Sequence, residues 1–350
     1  MPPIIFFIPP VLWPDTLPDS PNQNWAGYGL GIYAWTIQTF LWLRAAGISC
    51  QLTQHLPAEG IVLCHSNVLR SPEIAPAPRR LLICMKAEAP LSAIAHLHVV
   101  QNPVEASPAN NRFFIPHWPQ PQLIPRQASR GDRFETLAFF GHQASLAPEL
   151  QSDRWQSALA ERGLRFKVIA NTNAWSQYRR LDTGWNDYQN VDAVVAVRSF
   201  DPWQRRLSGG FAYKPPTKLY NAWLSGTIPI LGAESAYQYT GQGGQDYVEV
   251  KSFQQLLDSL DRLRAKASWR RSLVAQGQIR TQAFTPERIV GNWKDFLERQ
   301  AIPAYTEWCS YASWQQQAAL MSMRSVSNIN RGSRCGRRLL LRMLAGQSSL

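Results

Sequence analysis

The residue types best suited to chemistry lie in one segment of the chain, KPPTKLYNAWLSGTIPILGAES at positions 214–235. It opens with Lys214 and Lys218, which flank Pro215 and Pro216. Proline suits the first turn of a helix, because the amide hydrogens there have no intrahelical partner and proline lacks one. A helix that begins here leaves amide groups free, and these amides, the helix dipole and both ammonium groups attract a phosphate. The segment therefore predicts a diphosphate-binding site.

The same segment predicts the elements that hold this helix in place. Three apolar residues share one helical face at i, i+3 and i+4 spacing: Leu219, Ala222 and Trp223. Gly226 is placed to end the helix, and the apolar run Thr227 to Leu231 that follows is typical of a short buried strand. We therefore expect the helix to pack on a β-sheet.

Polar residues follow three of the predicted strands, where ligands bind in open α/β sheets. They are Arg198 and Ser199 after strand 192–197, Gly141 and His142 after strand 136–140, and Gly232, Glu234 and Ser235 after strand 227–231. Arg198 and the two lysines can neutralise a diphosphate both when it binds and when it leaves. Glu234 can accept hydrogen bonds from ribose hydroxyls. This division of roles predicts a site for a sugar nucleotide.

The segment KLYNAWLSGTIPILG (218–232) resembles a signature of the GT-B class of glycosyltransferases, in which a basic residue and a helix precede a Gly-x-Pro strand. A second segment, NWAGYGLGIYAWTIQ (24–38), is similar to the glycine-rich loop and helix near the cleft of that class. The resemblance spans about residues 4 to 300. It implies an α/β fold of two Rossmann-like domains with parallel sheets that face a cleft. It also implies transfer of a hexosyl or related sugar from a nucleotide-diphosphate sugar to an unidentified carbohydrate or glycan acceptor.

One departure from that class limits what the resemblance implies. Retaining families often carry two glutamates in an E-x7-E arrangement before the Gly-x-Pro, and the matching positions here are Tyr213 and Asn221. Asn221 still has the capacity to hydrogen-bond a ribose or a base. The donor sugar and the anomeric outcome of the reaction therefore stay open.

We predict that Arg198 and Lys218 act catalytically on this donor. The residues predicted to bind the donor and its phosphates are Gly29, Gly31, His142, Lys214, Thr217, Asn221, Glu234 and Ser235. No His, Cys, Asp and Glu cluster has the spacing of metal ligands, so we expect a metal-independent reaction without a cofactor. An inverting transferase also needs a general base, and the first half of the chain offers Asp15, His65 and Glu88 without favouring one.

The length of 350 residues and the 45% hydrophobic content fit two globular domains. Apolar runs alternate with helical patterns in both halves, and four prolines between residues 113 and 126 indicate a stiff connector. We predict an acceptor-side α/β domain at 1–112, a linker at 113–130 and a donor-binding α/β domain at 131–300, which helices up to residue 299 complete. A C-terminal helix and basic tail occupy 301–350.

The net charge of +12 is concentrated in the tail, because residues 311–350 contain six arginines and no acid. The remaining body suits an anionic small molecule, and no base-reading motif favours nucleic acid. The tail itself has two open interpretations, which are a solvated segment and a short amphipathic helix on an anionic membrane surface.

Five widely spaced cysteines, mostly in apolar runs, indicate reduced thiols rather than a disulfide framework: Cys50, Cys64, Cys84, Cys309 and Cys335. The longest apolar candidate, 32–43, is too short to span a membrane, and the N-terminal MPPIIFFIPP lacks the charged start of a signal peptide. We therefore expect a cytoplasmic protein. The alternative function is that of a catalytically silent nucleotide-binding protein with the same fold.

Overall fold

The computed structural model describes residues 1–171 and 184–323, and within these ranges the chain forms two separate parallel β-sheets. Cys335 and the arginine-rich end of the chain lie outside the described residues. None of the helices in the described ranges is both long enough and apolar enough to cross a membrane.

The first sheet has six strands in the order β2-β1-β3-β4-β5-β6. The strands are β1 (Ile4–Phe7), β2 (Gln51–Thr53), β3 (Gly60–His65), β4 (Arg80–Met85), β5 (Leu97–Val100) and β6 (Arg112–Phe114). Helix α1 (Gly31–Ala45) packs on this sheet and is followed by Gly47, whose φ of +78° suits the end of a helix. The predicted linker at 113–130 begins too early, because Phe113 and Phe114 still pair with β5.

The second sheet has five strands in the order β11-β10-β9-β7-β8. They are β7 (Thr136–His142), β8 (Arg165–Asn171), β9 (Ala193–Ala196), β10 (Ile228–Gly232) and β11 (Val248–Val250). The helices of this unit are α2 (Asp153–Ala160), α3 (Pro202–Leu207), α4 (Thr217–Ser225), α5 (Ser235–Thr240), α6 (Phe253–Ala265) and α7 (Ala267–Thr281). The two parallel sheets covered by helices confirm the predicted α/β class.

Helix α4 is the predicted helix of the lysine-rich segment. It begins at Thr217 rather than at the prolines, because Pro216 lies outside the helical backbone conformation with ψ of 21°. Gly226 ends it with φ of +69°, a left-handed conformation that glycine adopts without strain. Leu219 and Trp223 are buried in the core of the second unit, while Ala222 packs with a smaller cluster that includes Phe140. The helix therefore packs on the sheet as its pattern predicts.

The last helices return to the first unit. Helix α8 (Pro286–Phe296), a π-helical turn (Leu297–Ala301) and α9 (Ile302–Ser310) run on without a break. Ile289, Trp293 and Trp308 are buried in the core of the first sheet. The prediction that helices up to residue 299 complete the second domain is therefore wrong for α8. Its apolar stripe is visible in the sequence, but the stripe alone does not say which sheet it covers.

The contact between α4 and α7 depends on Gly277. A Cβ atom built at Gly277 would lie 2.4 Å from Cδ1 of Trp223, and Trp223 is held in turn because its Nε1 donates to the carbonyl of Asp246 at 2.8 Å. We predict that Gly277→Ala lowers stability by about 1–3 kcal/mol through overpacking, although alanine normally favours a helix. The free energy of unfolding from urea titration measures this change.

The matched control is Gly291→Ala in α8, where an added Cβ atom meets nothing within 4 Å. There the same substitution should raise stability by about 0.5–1 kcal/mol, because alanine is the better helix former. Equal effects at both positions would show that the contact with Trp223 does not limit residue size at position 277.

Candidate functional site

A cleft of about 1200 Å³ lies between the carboxyl ends of the two sheets. The second unit contributes the ends of β7 and β9 and the start of α4, and the first unit contributes the start of α1 and the residues after β3, β4 and β5. Eight of the ten predicted site residues line it: Gly29, Gly31, His142, Arg198, Lys214, Thr217, Lys218 and Asn221. The other two, Glu234 and Ser235, lie behind the wall of the cleft.

The side chain of Lys218 lies across the end of β7, next to Gly141, the glycine that the sequence predicts at this strand end. Its Nζ would lie 3.1 Å from a Cβ atom at Gly141, where φ is +147°, and 5.5 Å from the ring centroid of Phe139. Burial of the ammonium group, reinforced by the neighbouring Arg198, lowers the pKa of Lys218 to about 7. A side chain at position 141 would displace this lysine, which explains the need for glycine.

Arg198 leaves β9 and is fixed by an ion pair. Its Nε donates to Oε2 of Glu234 at 2.9 Å, and only 9% of its side chain is exposed. Burial by itself would lower the pKa of Arg198, but the carboxylate of Glu234 outweighs it and raises this pKa above its usual value. The other oxygen of Glu234, Oε1, is buried without a hydrogen-bond partner among the described residues. Glu234 thus orients the guanidinium from behind the cleft wall.

Lys214 stands just before α4 and reaches across the cleft. Its ammonium group pairs with the carboxylate of Glu88, which follows β4 of the first unit, and lies 5.1 Å from the ring centroid of Tyr213. At the start of α4, the amides of Thr217 and Lys218 have no hydrogen-bond acceptor in the described part of the chain. Cations and free amides therefore meet at one point of the second unit.

Asn221 and His142 have structural partners as well as a place in the cleft wall. The Oδ1 of Asn221 accepts the amide of Gln120 at 3.1 Å, and Asn221 is also hydrogen-bonded to the hydroxyl of Tyr188. The Nδ1 of His142 accepts the amide of Ala144 at 3.2 Å. At the position where retaining families carry the second glutamate, this chain thus has an amide that bonds to the interdomain connector.

The glycine-rich segment of the first unit forms a 3-10 turn at Ala26–Gly29 and then the start of α1. Gly29 and Gly31 line the cleft. A Cβ atom at Gly31 would meet Ala87 and His65 at 3.6 Å, which is ordinary contact distance. The space around Gly31 therefore does not itself require glycine.

Two polar residues that the sequence analysis omitted join the units. Gln101 donates to the carbonyl of Tyr213 at 3.0 Å, and Asn102 donates from Nδ2 to Oγ of Ser235 at 3.0 Å. Ser235 also donates to the carbonyl of Gly210 at 3.0 Å, so its hydroxyl is used in this joint. Gln101 and Asn102 come directly after β5, so an inspection of the polar residues at every strand end would have found them.

His65, one of the three predicted base candidates, is poorly suited to accept a proton. Its Nδ1 accepts the amide of Asn67 at 3.1 Å, so the ring proton lies on Nε2, the nitrogen nearer the start of α1. Burial, with Arg70 nearby, lowers its pKa to about 4. The neutral ring is thus a hydrogen-bond donor at the cleft. Among the described residues, no group of three or more His, Cys, Asp and Glu side chains has the geometry of a metal site.

This sequence has no significant match among protein-family models or curated proteins. The sequence alone therefore assigns the chain to no family.

The comparison with solved structures, in contrast, finds matches. Anabaena HepE, solved in complex with UDP and glucose, is 12% identical, and the match covers 85% of this chain and 100% of HepE with a TM-score of 0.51. AviGT4, a glycosyltransferase of avilamycin A biosynthesis, is 15% identical over 89% of this chain and 99% of its own, with a TM-score of 0.48. Sucrose-phosphate synthase from Thermosynechococcus elongatus is 16% identical over 77% and 72%, with a TM-score of 0.45. The match to HepE and the two facing parallel sheets show that this chain has the GT-B glycosyltransferase fold.

Proposed function

We propose that this protein is a glycosyltransferase that moves a hexosyl or related sugar from a nucleotide-diphosphate sugar to a carbohydrate or glycan acceptor. The observation that carries the proposal is the convergence of Arg198, Lys214 and Lys218 on one cleft between two α/β units. The structure of HepE with UDP-glucose adds support, since a protein of similar fold binds such a donor.

Each cation has a role that follows from its position. A diphosphate leaving group gains negative charge as the bond to the sugar breaks, and fixed cations stabilise that charge in a site that excludes water. Arg198 is oriented by Glu234, and Lys218 by Gly141 and Phe139, so both are positioned before the donor arrives. Lys214, Thr217 and the free amides at the start of α4 complete the proposed phosphate site. Because three cations surround this point, we propose that the reaction needs neither a metal ion nor a cofactor.

The alternative is a nucleotide-binding protein of the same fold without catalysis. One observation favours it: Asn221 stands where retaining families place a glutamate, and its side chain bonds to the connector instead. Both functions predict binding of a nucleotide diphosphate, and only a transferase turns the sugar nucleotide over. For either function we propose a cytoplasmic location, in keeping with the buried free thiols of Cys64 and Cys84.

A panel of nucleoside diphosphates, measured by thermal shift and calorimetry, tests the proposed binding, with UDP as the first ligand. We expect Lys218→Met to weaken the affinity for the best nucleotide about 10- to 100-fold, because a charge-assisted hydrogen bond to phosphate is worth about 1.5–3 kcal/mol. Lys294→Met is the matched control, since Lys294 is 60% exposed on α8 and should not affect binding. An unchanged affinity in the Lys218 variant would contradict the assigned site.

The pH dependence of binding offers a second test. The pKa of Lys218 is about 7 in the free protein, and a bound diphosphate raises it, so binding takes up a proton above that pH. We expect the affinity for UDP to fall as the pH rises from about 7.5 to 9, by up to about tenfold per unit. The phosphate groups themselves are already ionised over this range, because their second pKa is about 6.

In the Lys218→Met variant this slope should disappear while weak binding remains. Calorimetry in buffers of different ionisation enthalpy measures the proton uptake directly. A slope that persists unchanged in the variant would assign the titration to another group.

A further inference from the structure

Glu88 is presented to the cleft by an unusual turn after β4. The preceding residue, Ala87, is buried and has φ of +48°, a left-handed conformation that side chains with a Cβ atom disfavour. The amide of Ala89 closes the turn on the carbonyl of Lys86 at 3.0 Å, and Ser66 binds the carbonyl of Pro90 just beyond it. Such strained backbone is concentrated at functional sites.

The charges around Glu88 come from both units. Its carboxylate pairs with Lys214 and acts electrostatically on Arg198 and Lys218 of the second unit. Within the first unit it acts on His65 and His117, and burial lowers the pKa of both rings. Glu88 is therefore a partly exposed carboxylate of the cleft wall that pairs with Lys214 and lies within electrostatic range of Arg198 and Lys218.

Few other carboxylates are available for proton transfer. In the described part of the chain, Asp15 and Glu88 are the acidic residues that line the cleft. Asp15 belongs to the loop after β1 and is exposed, as Glu88 is, whereas Glu234 is only 2% exposed and paired with Arg198. Glu88 combines a place in the cleft wall with an ion pair to Lys214 of the second unit.

We propose that Glu88 is the general base of an inverting transfer and that Lys214 controls when it acts. The proposal rests on the proposed glycosyltransferase function. In the step itself, an acceptor hydroxyl gives its proton to a carboxylate oxygen of Glu88 while its oxygen forms a bond to the anomeric carbon. The bond between that carbon and the phosphate oxygen breaks, and the nucleoside diphosphate leaves with the electron pair.

The two walls of the cleft suit this displacement. The cations that would hold the leaving group belong to the second unit, whereas Glu88 belongs to the first. A nucleophile that displaces the leaving group in line must approach from the opposite side, and its base must stand there too. Glu88 belongs to the wall from which the acceptor approaches in this proposal, and one attack of this kind inverts the anomeric carbon.

Lys214 connects the general base with the donor, because its ammonium group can pair either with Glu88 or with the diphosphate. Without donor, its ammonium group holds the carboxylate of Glu88 in an ion pair, so an acceptor hydroxyl has to compete with the lysine for the carboxylate oxygens. A diphosphate carries more negative charge than one carboxylate and attracts Lys214 away. The base thus becomes effective only when a leaving group is bound, which limits attack on the donor before the site is complete.

The stereochemical test uses methanol as the acceptor, because methyl glycosides do not interconvert in water. The unsubstituted protein is incubated with the nucleotide sugar that the binding panel identifies, UDP-glucose first, and the product is examined by NMR. From an α-linked donor we expect the methyl β-glycoside. The methyl α-glycoside would overturn the proposal while leaving the glycosyltransferase function intact.

The variant test compares Glu88→Gln with Glu59→Gln. Glu59 forms an exposed ion pair with Arg79 just before β3, at the end of the first sheet away from the cleft, and is the control for the same change. We expect Glu88→Gln to lower kcat at least about 100-fold, because general base catalysis typically contributes 10²–10⁴-fold. Glu88→Ala should regain part of its rate in formate, a small external base. A rate near that of the unsubstituted protein in Glu88→Gln would overturn the proposal.

Binding provides a readout that a purely structural role of Glu88 would not give. With Glu88→Gln, Lys214 no longer has to leave a carboxylate, so UDP should bind about threefold to tenfold more tightly. Unchanged or weaker UDP binding would overturn the proposal that Lys214 controls when Glu88 acts. If the unsubstituted protein binds UDP but turns over no donor, the transferase function fails, and this proposal fails with it.

Discussion

The structure depends on positive charge that its own carboxylates do not fully neutralise. At the carboxyl end of the second sheet, Glu234 pairs with Arg198 and Glu88 pairs with Lys214. Lys218 forms no ion pair among the described residues and faces the ring of Phe139. Burial of an unpaired ammonium group is unfavourable, and the lowered pKa of Lys218 records that cost. An anionic ligand relieves it, which links the electrostatics of the fold to its proposed substrate.

Several parts of the fold keep this charge in place. Asp192, just before β9, accepts hydrogen bonds from Arg126 and Arg130 and from the amides of Glu135 and Thr136. Burial would raise the pKa of Asp192, but these donors outweigh it and hold the pKa below its usual value. One carboxylate thus ties the connector, the start of β7 and the start of β9 together. These are the strands whose far ends position Gly141 and Arg198.

Whether a feature of this fold could be predicted from the sequence depends on how far apart in the chain the interacting residues lie. Helix α4 and its end at Gly226 follow from local pattern and from the conformational freedom of glycine. Gly141 was predicted at a strand end, but its contact with Lys218 joins residues far apart in the chain and is visible only in the fold. Strand β6 was not predicted, because its short apolar run leads directly into the prolines of the connector. Local signals find elements and strand ends, whereas pairings between elements depend on tertiary packing.

The same distinction applies to Glu88. The sequence places it after a strand, but neither the left-handed backbone at Ala87 nor the pairing of Glu88 with Lys214, 126 residues away, has a local signature.

The contacts between the units fall into two kinds. Asn102 joins Ser235 through buried neutral groups, and no charge in a ligand competes for them. Lys214 and Glu88 are charged and stand in the cleft itself, where the diphosphate of the proposed donor would compete directly for the lysine. A cleft joined by neutral bonds at one place and by a replaceable ion pair at another can change its charge distribution when the donor binds, without separating its walls.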